Sequence, residues 1–147
     1  MPNLSPSITS APKTTDFYQV AEAAGVPVIH MPLPEVRSLA LAVGSSGVVG
    51  LDNTHAMTRA EEQARLGHEL GHCLYGGFYT RGTSYDVAER HEVRADRWYI
   101  KRAIPRRTLF RLLREGRDAW EIAELLNTTE EYVRRAYYYY KDVSKME

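Results

Sequence analysis

The feature that most constrains this fold is one helix that carries two histidines four residues apart. Thr58 and Glu61 form the Thr-x-x-Glu pattern of a capping box, and leucines at helical spacing follow them, which predicts a helix over about 59–75. His68 and His72 project from the same face of that helix, because residues four apart lie one turn above each other. Two imidazoles so placed can bind one metal ion, so we expect another element to bring further ligands to this face.

A β-rich part of the chain precedes this helix, and an all-helical part follows it. Three short apolar runs between Pro- and Gly-containing breaks predict a small sheet, with strands over 26–29, 39–43 and 48–51. The turn signal at 45–47 predicts that the last two strands form a hairpin. Asp16 predicts the start of a short helix ahead of the sheet.

The helical part begins with a second long helix, over about 84–103, which ends before Pro105. Three short helices follow it, and Asp118 and Thr128, each with a glutamate three residues later, are the predicted caps of the last two. The order of elements predicts an α+β fold, with a small N-terminal sheet, two long helices that bind the metal and a C-terminal helical extension.

The 147 residues correspond to one ordinary domain. A Ser- and Pro-rich segment over 1–13 is predicted to be a mobile arm, and the core is predicted over 14–104. The three-helix extension over 105–147 is predicted to pack on that core.

The composition predicts a soluble, cytoplasmic protein. Hydrophobic residues make up 44% of the chain and charged residues 26%, and no apolar run reaches the roughly 18–20 residues of a membrane span. The N-terminus shows no apolar stretch of a signal peptide, and we expect no membrane partner. Cys73 is the single cysteine, which excludes an intrachain disulfide and a cysteine-based zinc cluster.

The charge is balanced over the whole chain but not along it. Nineteen basic and nineteen acidic residues give a net charge of zero, which argues against a dedicated nucleic-acid binder. Residues 81–117, however, hold eleven Lys/Arg and five Asp/Glu. This arginine-rich stretch predicts a docking face for a protein substrate.

The second long helix supplies the best candidates for the further ligands. Glu92 and Asp96 are four residues apart and lie on one face, whereas Arg90, Arg94 and Arg97 are expected to point to solvent. Unpaired carboxylates on a buried face are costly, so a cation is expected there. We predict that Glu92 is the third metal ligand and that Asp96 holds a ligand histidine through its other ring nitrogen.

Other assignments of the same residue types remain open. Glu89, one turn earlier, is an alternative ligand to Glu92, and both acids of the second helix could instead form salt bridges with arginines. His91 is expected at the solvent side, about 100° from Glu92 around the helix axis. His30 and His55 lie outside both helices and are expected to be structural or surface residues.

Glu69 is the candidate general base. It lies about 100° around the helix from His68, which keeps it away from the ion but within reach of a water bound to that ion. Tyr79 or Tyr85, in the predicted loop between the two long helices, could supply a phenol to stabilise an oxyanion.

Together these motifs resemble a known family. A His-Glu-x-x-His helix followed, after nineteen intervening residues, by a Glu-x-x-x-Asp helix resembles the gluzincin branch of zinc peptidases. More narrowly, residues 16–105 resemble the ImmA/IrrE family of intracellular metallopeptidases, on the runs 58–72 and 92–98. Two positions depart from the family pattern: Arg94 stands where a glutamate is usual, and Trp98-Tyr99 replaces Phe-Ala.

The resemblance implies a minimal zincin core in which Zn²⁺ is bound by His68, His72 and Glu92. Glu69 would then be the catalytic base, and Asp96 would support a ligand histidine. The implied function is a zinc-dependent endopeptidase that cleaves a helix-turn-helix transcriptional repressor of a mobile element, phage or stress regulon.

Two other functions compete with this one. The apolar spacing of 122–133 is also typical of a helix-turn-helix, which would place Arg134, Arg135 and Tyr138 on a DNA-facing helix. Residues 105–147 hold nine basic and eight acidic side chains, however, so a packing or repressor-docking role is preferred for them. Five arginines form the better nucleic-acid candidate, namely Arg102, Arg106, Arg107, Arg111 and Arg114. The remaining alternative is a non-catalytic regulator that keeps the zinc fold.

Overall fold

The computed structural model of the chain describes residues 12–44, 46–76 and 85–143. Its elements are α1 (Phe17–Ala24), β1 (Val28–Met31), β2 (Ser38–Val43), β3 (Ser46–Asp52), α2 (Arg59–Gly71), α3 (Tyr85–Ala103), α4 (Arg106–Arg114), α5 (Ala119–Leu126) and α6 (Glu130–Tyr138). Two π-helical segments, His72–Gly76 and Tyr139–Val143, extend α2 and α6. The predicted α+β fold with C-terminal helices is confirmed. The predicted arm over 1–13 lies almost entirely outside the described residues.

The sheet is a three-stranded layer with β3 at its centre. Strands β2 and β3 form the predicted antiparallel hairpin, and β1 pairs with β3 in parallel. The predicted turn at 45–47 is wrong in register, because Ser46 and Gly47 already pair within β3. The first strand begins at Val28, two residues later than predicted, since Pro27 offers only its carbonyl, which accepts a hydrogen bond from Val49 N at 3.0 Å.

The helix that carries the two histidines starts as the sequence predicts. Thr58 Oγ1 accepts a hydrogen bond from Glu61 N at 3.1 Å, and Glu61 Oε1 accepts one from Thr58 N at 2.8 Å. The α-helical part ends at Gly71, and the π-helical segment starts at His72, which is a common local deviation at functional sites.

The last helix starts one residue later than predicted. Thr129, not Thr128, is its N-cap, and its hydroxyl accepts a hydrogen bond from Tyr132 N at 3.2 Å. Thr128 is buried instead, and its hydroxyl lies 2.7 Å from that of Tyr99 in α3. This bond fixes the start of α6 against one of the two long helices.

The two long helices approach each other closely because two glycines of α2 face α3. A Cβ on Gly71 would lie 2.7 Å from the carbonyl oxygen of Ala95, and one on Gly67 would lie 2.2 Å from the Tyr99 ring. Real Cβ contacts are not that short, so only glycine permits this spacing.

One hydrophobic core serves the whole described chain. Its members include Phe17 of α1, Leu51 of β3, Tyr99 of α3, Ile122 of α5 and Ala136 of α6. The C-terminal helices therefore share their apolar contacts with the sheet and the long helices. Among the described residues, no helix is long and apolar enough to span a membrane.

Candidate metal centre

Three predicted ligands meet where α2 and α3 face each other. His68 Nε2 lies 3.0 Å from Glu92 Oε1, and His72 Nε2 lies 2.7 Å from Glu92 Oε2. The two imidazole rings stand edge to face, with their centroids 4.9 Å apart. Glu92 therefore bridges the Nε2 atoms of both histidines with one oxygen each.

The donor set of these three residues fits a small divalent cation. Their ligand atoms all lie within 4.8 Å of one another, so one ion can contact all three. Zinc ligands stand roughly 3.3 Å apart, the edge of a tetrahedron with bonds of about 2.0–2.1 Å. The observed distances of 2.7 and 3.0 Å would need to increase by about 0.6 and about 0.3 Å to match that tetrahedral edge. Two imidazoles and a carboxylate are a catalytic zinc set with its fourth position open.

The carboxylate of Asp96 holds the other nitrogen of His68. Asp96 Oδ1 lies 2.8 Å from His68 Nδ1. A hydrogen bond to Nδ1–H fixes the ring orientation and leaves Nε2 as the metal-binding nitrogen. The structure thus places Asp96 where a residue that orients a ligand histidine has to be.

The same carboxylate environment controls the protonation of His68. Burial opposes a charge on the ring, but hydrogen bonds to Asp96 and Glu92 outweigh it and raise the His68 pKa from 6.5 to about 10. Burial likewise opposes the charge on Asp96, yet its bonds to His68 and Tyr132 keep its pKa below the ordinary value. In the metal-free protein His68 is therefore an imidazolium at neutral pH, and a cation bound at Nε2 would have to displace that proton.

Two residues of α6 that sequence reasoning missed complete this network. Tyr132 donates its phenolic hydrogen to Asp96 Oδ1 at 2.5 Å, and Arg135 donates to Asp96 Oδ2 at 2.8 Å. Burial and the neighbouring Asp96 raise the pKa of Tyr132 well above the usual range, so the phenol stays protonated as a donor. The sequence signal for such partners was a carboxylate expected on a buried helix face, but that signal does not show where the partners lie.

A hydrogen bond from a residue of the sheet orients Glu69, the candidate base. Its side chain is 7% exposed, and its Oε2 accepts a hydrogen bond of 2.7 Å from Ser38 Oγ at the start of β2. Among the described residues this is the hydrogen bond that orients the carboxylate. Ser38 is a further site residue that the sequence did not indicate, because it lies 31 positions away in the chain.

A cleft of about 510 Å³ opens beside the three ligands. Its wall combines both long helices with the last one, at Glu61, Ala64, Arg65, His68, Glu92, Asp96, Thr129, Glu131, Tyr132 and Arg135. Because the Glu92 side chain is 42% exposed, solvent can reach the ligand cluster from this cleft.

The alternative residues lie elsewhere. Glu89 is exposed and lines a separate shallow cleft with Arg90 and Arg94. His91 is half-buried outside the ligand cluster. His30 Nε2 lies 3.0 Å from the Tyr18 hydroxyl, and His55 Nδ1 lies 2.7 Å from Asp52 Oδ2.

The arginines of α3 do not all point to solvent. Arg90 and Arg94 are exposed, as expected. Arg97 is half-buried, with its guanidinium 5.2 Å from the Tyr139 ring centroid, and Arg102 lies 4.2 Å from that of Trp98. Because Arg97 is half-buried, the exposed arginine face is smaller than predicted. The role of this face as a docking surface stays a prediction.

The predicted oxyanion residues fall outside the description. Tyr79 lies outside the described residues, and so does the side chain of Tyr85, the first residue of α3. The cleft wall does contain other side chains that can donate hydrogen bonds, among them Arg65, Tyr132 and Arg135.

Comparisons of the chain with models of known protein families, with curated proteins and with solved structures gave no match.

Proposed function

We propose that this chain is a zinc-dependent endopeptidase of the ImmA/IrrE type, whose substrate is a helix-turn-helix transcriptional repressor. The observation that carries the proposal is the meeting of His68, His72 and Glu92 at one point, with Glu69 next to the first ligand in the chain. A third ligand at the spacing of the paired motifs makes two unrelated helical histidines a poor explanation.

Zn²⁺ would be held by the two Nε2 atoms and the Glu92 carboxylate, and when bound it supplies Lewis-acid activation of a water and of the scissile carbonyl. Asp96 keeps His68 in the tautomer that presents Nε2. Ser38 fixes one oxygen of Glu69, which leaves Oε1 as the proton acceptor.

Glu69 takes a proton from the attacking water as its oxygen bonds to the carbonyl carbon. The carboxyl group then gives that proton to the amide nitrogen as the C–N bond breaks, so the products are a carboxylate and an amine. Exclusion of bulk water by burial of Glu69 favours this shuttle over loss of the proton to solvent.

The DNA-binding alternative receives little support from the contacts of α6. Two of the three side chains assigned to a DNA-facing surface are engaged within the protein, since Arg135 binds Asp96 and Glu131, and Arg134 binds Glu130 at 2.8 Å. Asn127 has the left-handed conformation typical of the turn between such helices (φ 53°), but that geometry alone describes a fold and not a DNA contact.

The test is co-expression with the helix-turn-helix regulator encoded beside the gene, followed by detection of its fragments. Wild-type protein and Glu89→Gln should cleave the regulator, whereas Glu69→Gln should retain zinc without cleaving it. Equal cleavage by Glu69→Gln refutes the mechanism. Stoichiometric zinc without any Glu69-dependent cleavage favours the non-catalytic regulator instead.

A further inference from the structure

The inference concerns the last helix, which belongs to the predicted C-terminal extension and yet touches the metal centre. It rests on the zinc site of the proposed function and adds two residues to it. We propose that Tyr132 and Arg135 are positioning residues that orient the ligand His68 through Asp96, so that α6 completes the metal centre.

The Asp96 carboxylate accepts hydrogen bonds from three donors. Oδ1 accepts hydrogen bonds from His68 Nδ1 at 2.8 Å and from the Tyr132 hydroxyl at 2.5 Å, and Oδ2 accepts one from Arg135 at 2.8 Å. A carboxylate held by three donors cannot rotate without breaking one of them. Its orientation, and with it that of the His68 ring, is therefore set from α6.

The side chain of Tyr132 is itself fixed in position by its neighbours. Its ring packs edge to face on Tyr99, with centroids 4.7 Å apart, and the Tyr99 hydroxyl lies 2.7 Å from that of Thr128. Tyr99 in turn packs against Gly67, next to His68 in α2. The hydroxyl of Tyr132 thus reaches Asp96 from a side chain whose position is fixed by the metal-binding helices.

Two neighbouring arginines of α6 differ in their contacts with α3. Arg134 and Arg135 each pair with a glutamate one turn earlier, Glu130 and Glu131, and both arginines are exposed. Only Arg135 also binds Asp96. An exposed pair within a helix contributes little to stability, so the additional bond to Asp96 is the feature that distinguishes Arg135.

The experiment compares Tyr132→Phe and Arg135→Gln with the matched control Arg134→Gln. Tyr132→Phe keeps the ring on Tyr99 and removes only the hydroxyl. For each full-length variant, the Zn²⁺ dissociation constant is measured by competition with a chelating dye, and the visible spectrum is recorded at saturating Co²⁺.

We expect Tyr132→Phe and Arg135→Gln each to weaken Zn²⁺ binding about three- to tenfold, below the 10- to 100-fold typical of residues that touch a ligand directly. The Co²⁺ spectrum of both should shift, because it reports ligand geometry in the fully loaded and folded protein. Arg135→Lys should restore part of the affinity, since lysine can still donate to Asp96. Arg134→Gln should match the wild type in both measurements.

The proposal requires both effects in both variants, relative to the Arg134 control. It is overturned if either variant keeps wild-type zinc affinity or an unchanged Co²⁺ spectrum, or if Arg134→Gln changes equally. Neither measurement uses a peptide substrate. If the repressor is never cleaved but these variants respond, the peptidase function fails and the positioning role stands.

Discussion

The candidate metal centre is held from two sides, which differ in their donors and in the parts of the fold that supply them. On the ligand side, Asp96 accepts a hydrogen bond from His68. Asp96 also accepts hydrogen bonds from two side chains of α6, the neutral Tyr132 and the cationic Arg135. On the base side, Glu69 is held by one neutral hydroxyl, that of Ser38 in the sheet. A carboxylate acceptor strengthens the hydrogen bonds on both sides, but only the ligand side adds a cationic donor, Arg135, and only that side acts on a candidate metal ligand. The two sides should therefore fail differently: the ligand side through loss of metal, and the base side through loss of turnover.

Substitution of Glu92, which contacts both histidines, should give the largest effect, because it should abolish zinc binding and turnover together. In Glu92→Gln the neutral amide replaces the carboxylate that bridges both histidines, so we expect zinc affinity to fall by more than about 100-fold, beyond the usual effect of indirect partners. Cleavage should disappear with the metal. Metal analysis of Glu92→Gln and of the exposed control Glu89→Gln checks this; equal zinc in both would reassign the third ligand.

Damage confined to the ligand side comes next. Asp96→Asn replaces the anion that orients His68 and leaves Arg135 without its carboxylate partner in α3, so we expect zinc affinity to fall about 10- to 100-fold. Chelator competition measures the loss. Zinc binding within twofold of the wild type would show that Asp96 does not position the ligand.

Damage confined to the base side should leave the metal in place. Ser38→Ala removes the donor to buried Glu69, so the carboxylate loses its fixed orientation, and we expect cleavage to slow about tenfold, equivalent to about 1.4 kcal/mol in the barrier. Zinc affinity should stay within twofold, and Ser38→Thr should recover activity. Loss of zinc from Ser38→Ala would mean that the two sides are not separable.

The sequence reveals only those parts of the two sides that follow from local periodicity. His68, His72, Glu92 and Asp96 could be placed because a spacing of four on a helix defines a face. Ser38 could not, because no spacing rule connects a strand to a helix residue 31 positions away. Tyr132 and Arg135 are 36 and 39 positions from Asp96 and depend on how α6 packs.

The smaller errors of the sequence analysis also have physical causes. Thr128 and Thr129 can both cap a helix, and the sequence does not show that Tyr99 binds the hydroxyl of the first. The apolar run at 26–29 predicted a strand, but β1 starts only after Pro27, whose nitrogen has no hydrogen to donate. Both errors concern choices that tertiary contacts make between locally equivalent residues.

The pH dependence of the free energy of unfolding tests the ligand side without a metal or a substrate, over the range from pH 6.5 to 9, below the usual pKa of the Cys73 thiol. Because the His68 pKa is raised from 6.5 to about 10, the folded metal-free protein holds a proton that the unfolded chain releases. This stabilisation is complete below pH 6.5 and is lost as the pH rises to about 10, by at most about 1.4 kcal/mol per pH unit.

Urea unfolding of the chelator-treated protein at several pH values checks this expectation. The free energy of unfolding should decrease from pH 6.5 to 9 in the wild type and in Ser38→Ala, and less in Asp96→Asn, which lacks the carboxylate that contributes most to the raised His68 pKa. Zinc should remove this dependence over the same range, since the metal takes the place of the Nε2 proton. An equal decrease in the free energy of unfolding of Asp96→Asn would show that the titrating group is not a His68 whose pKa is raised by Asp96.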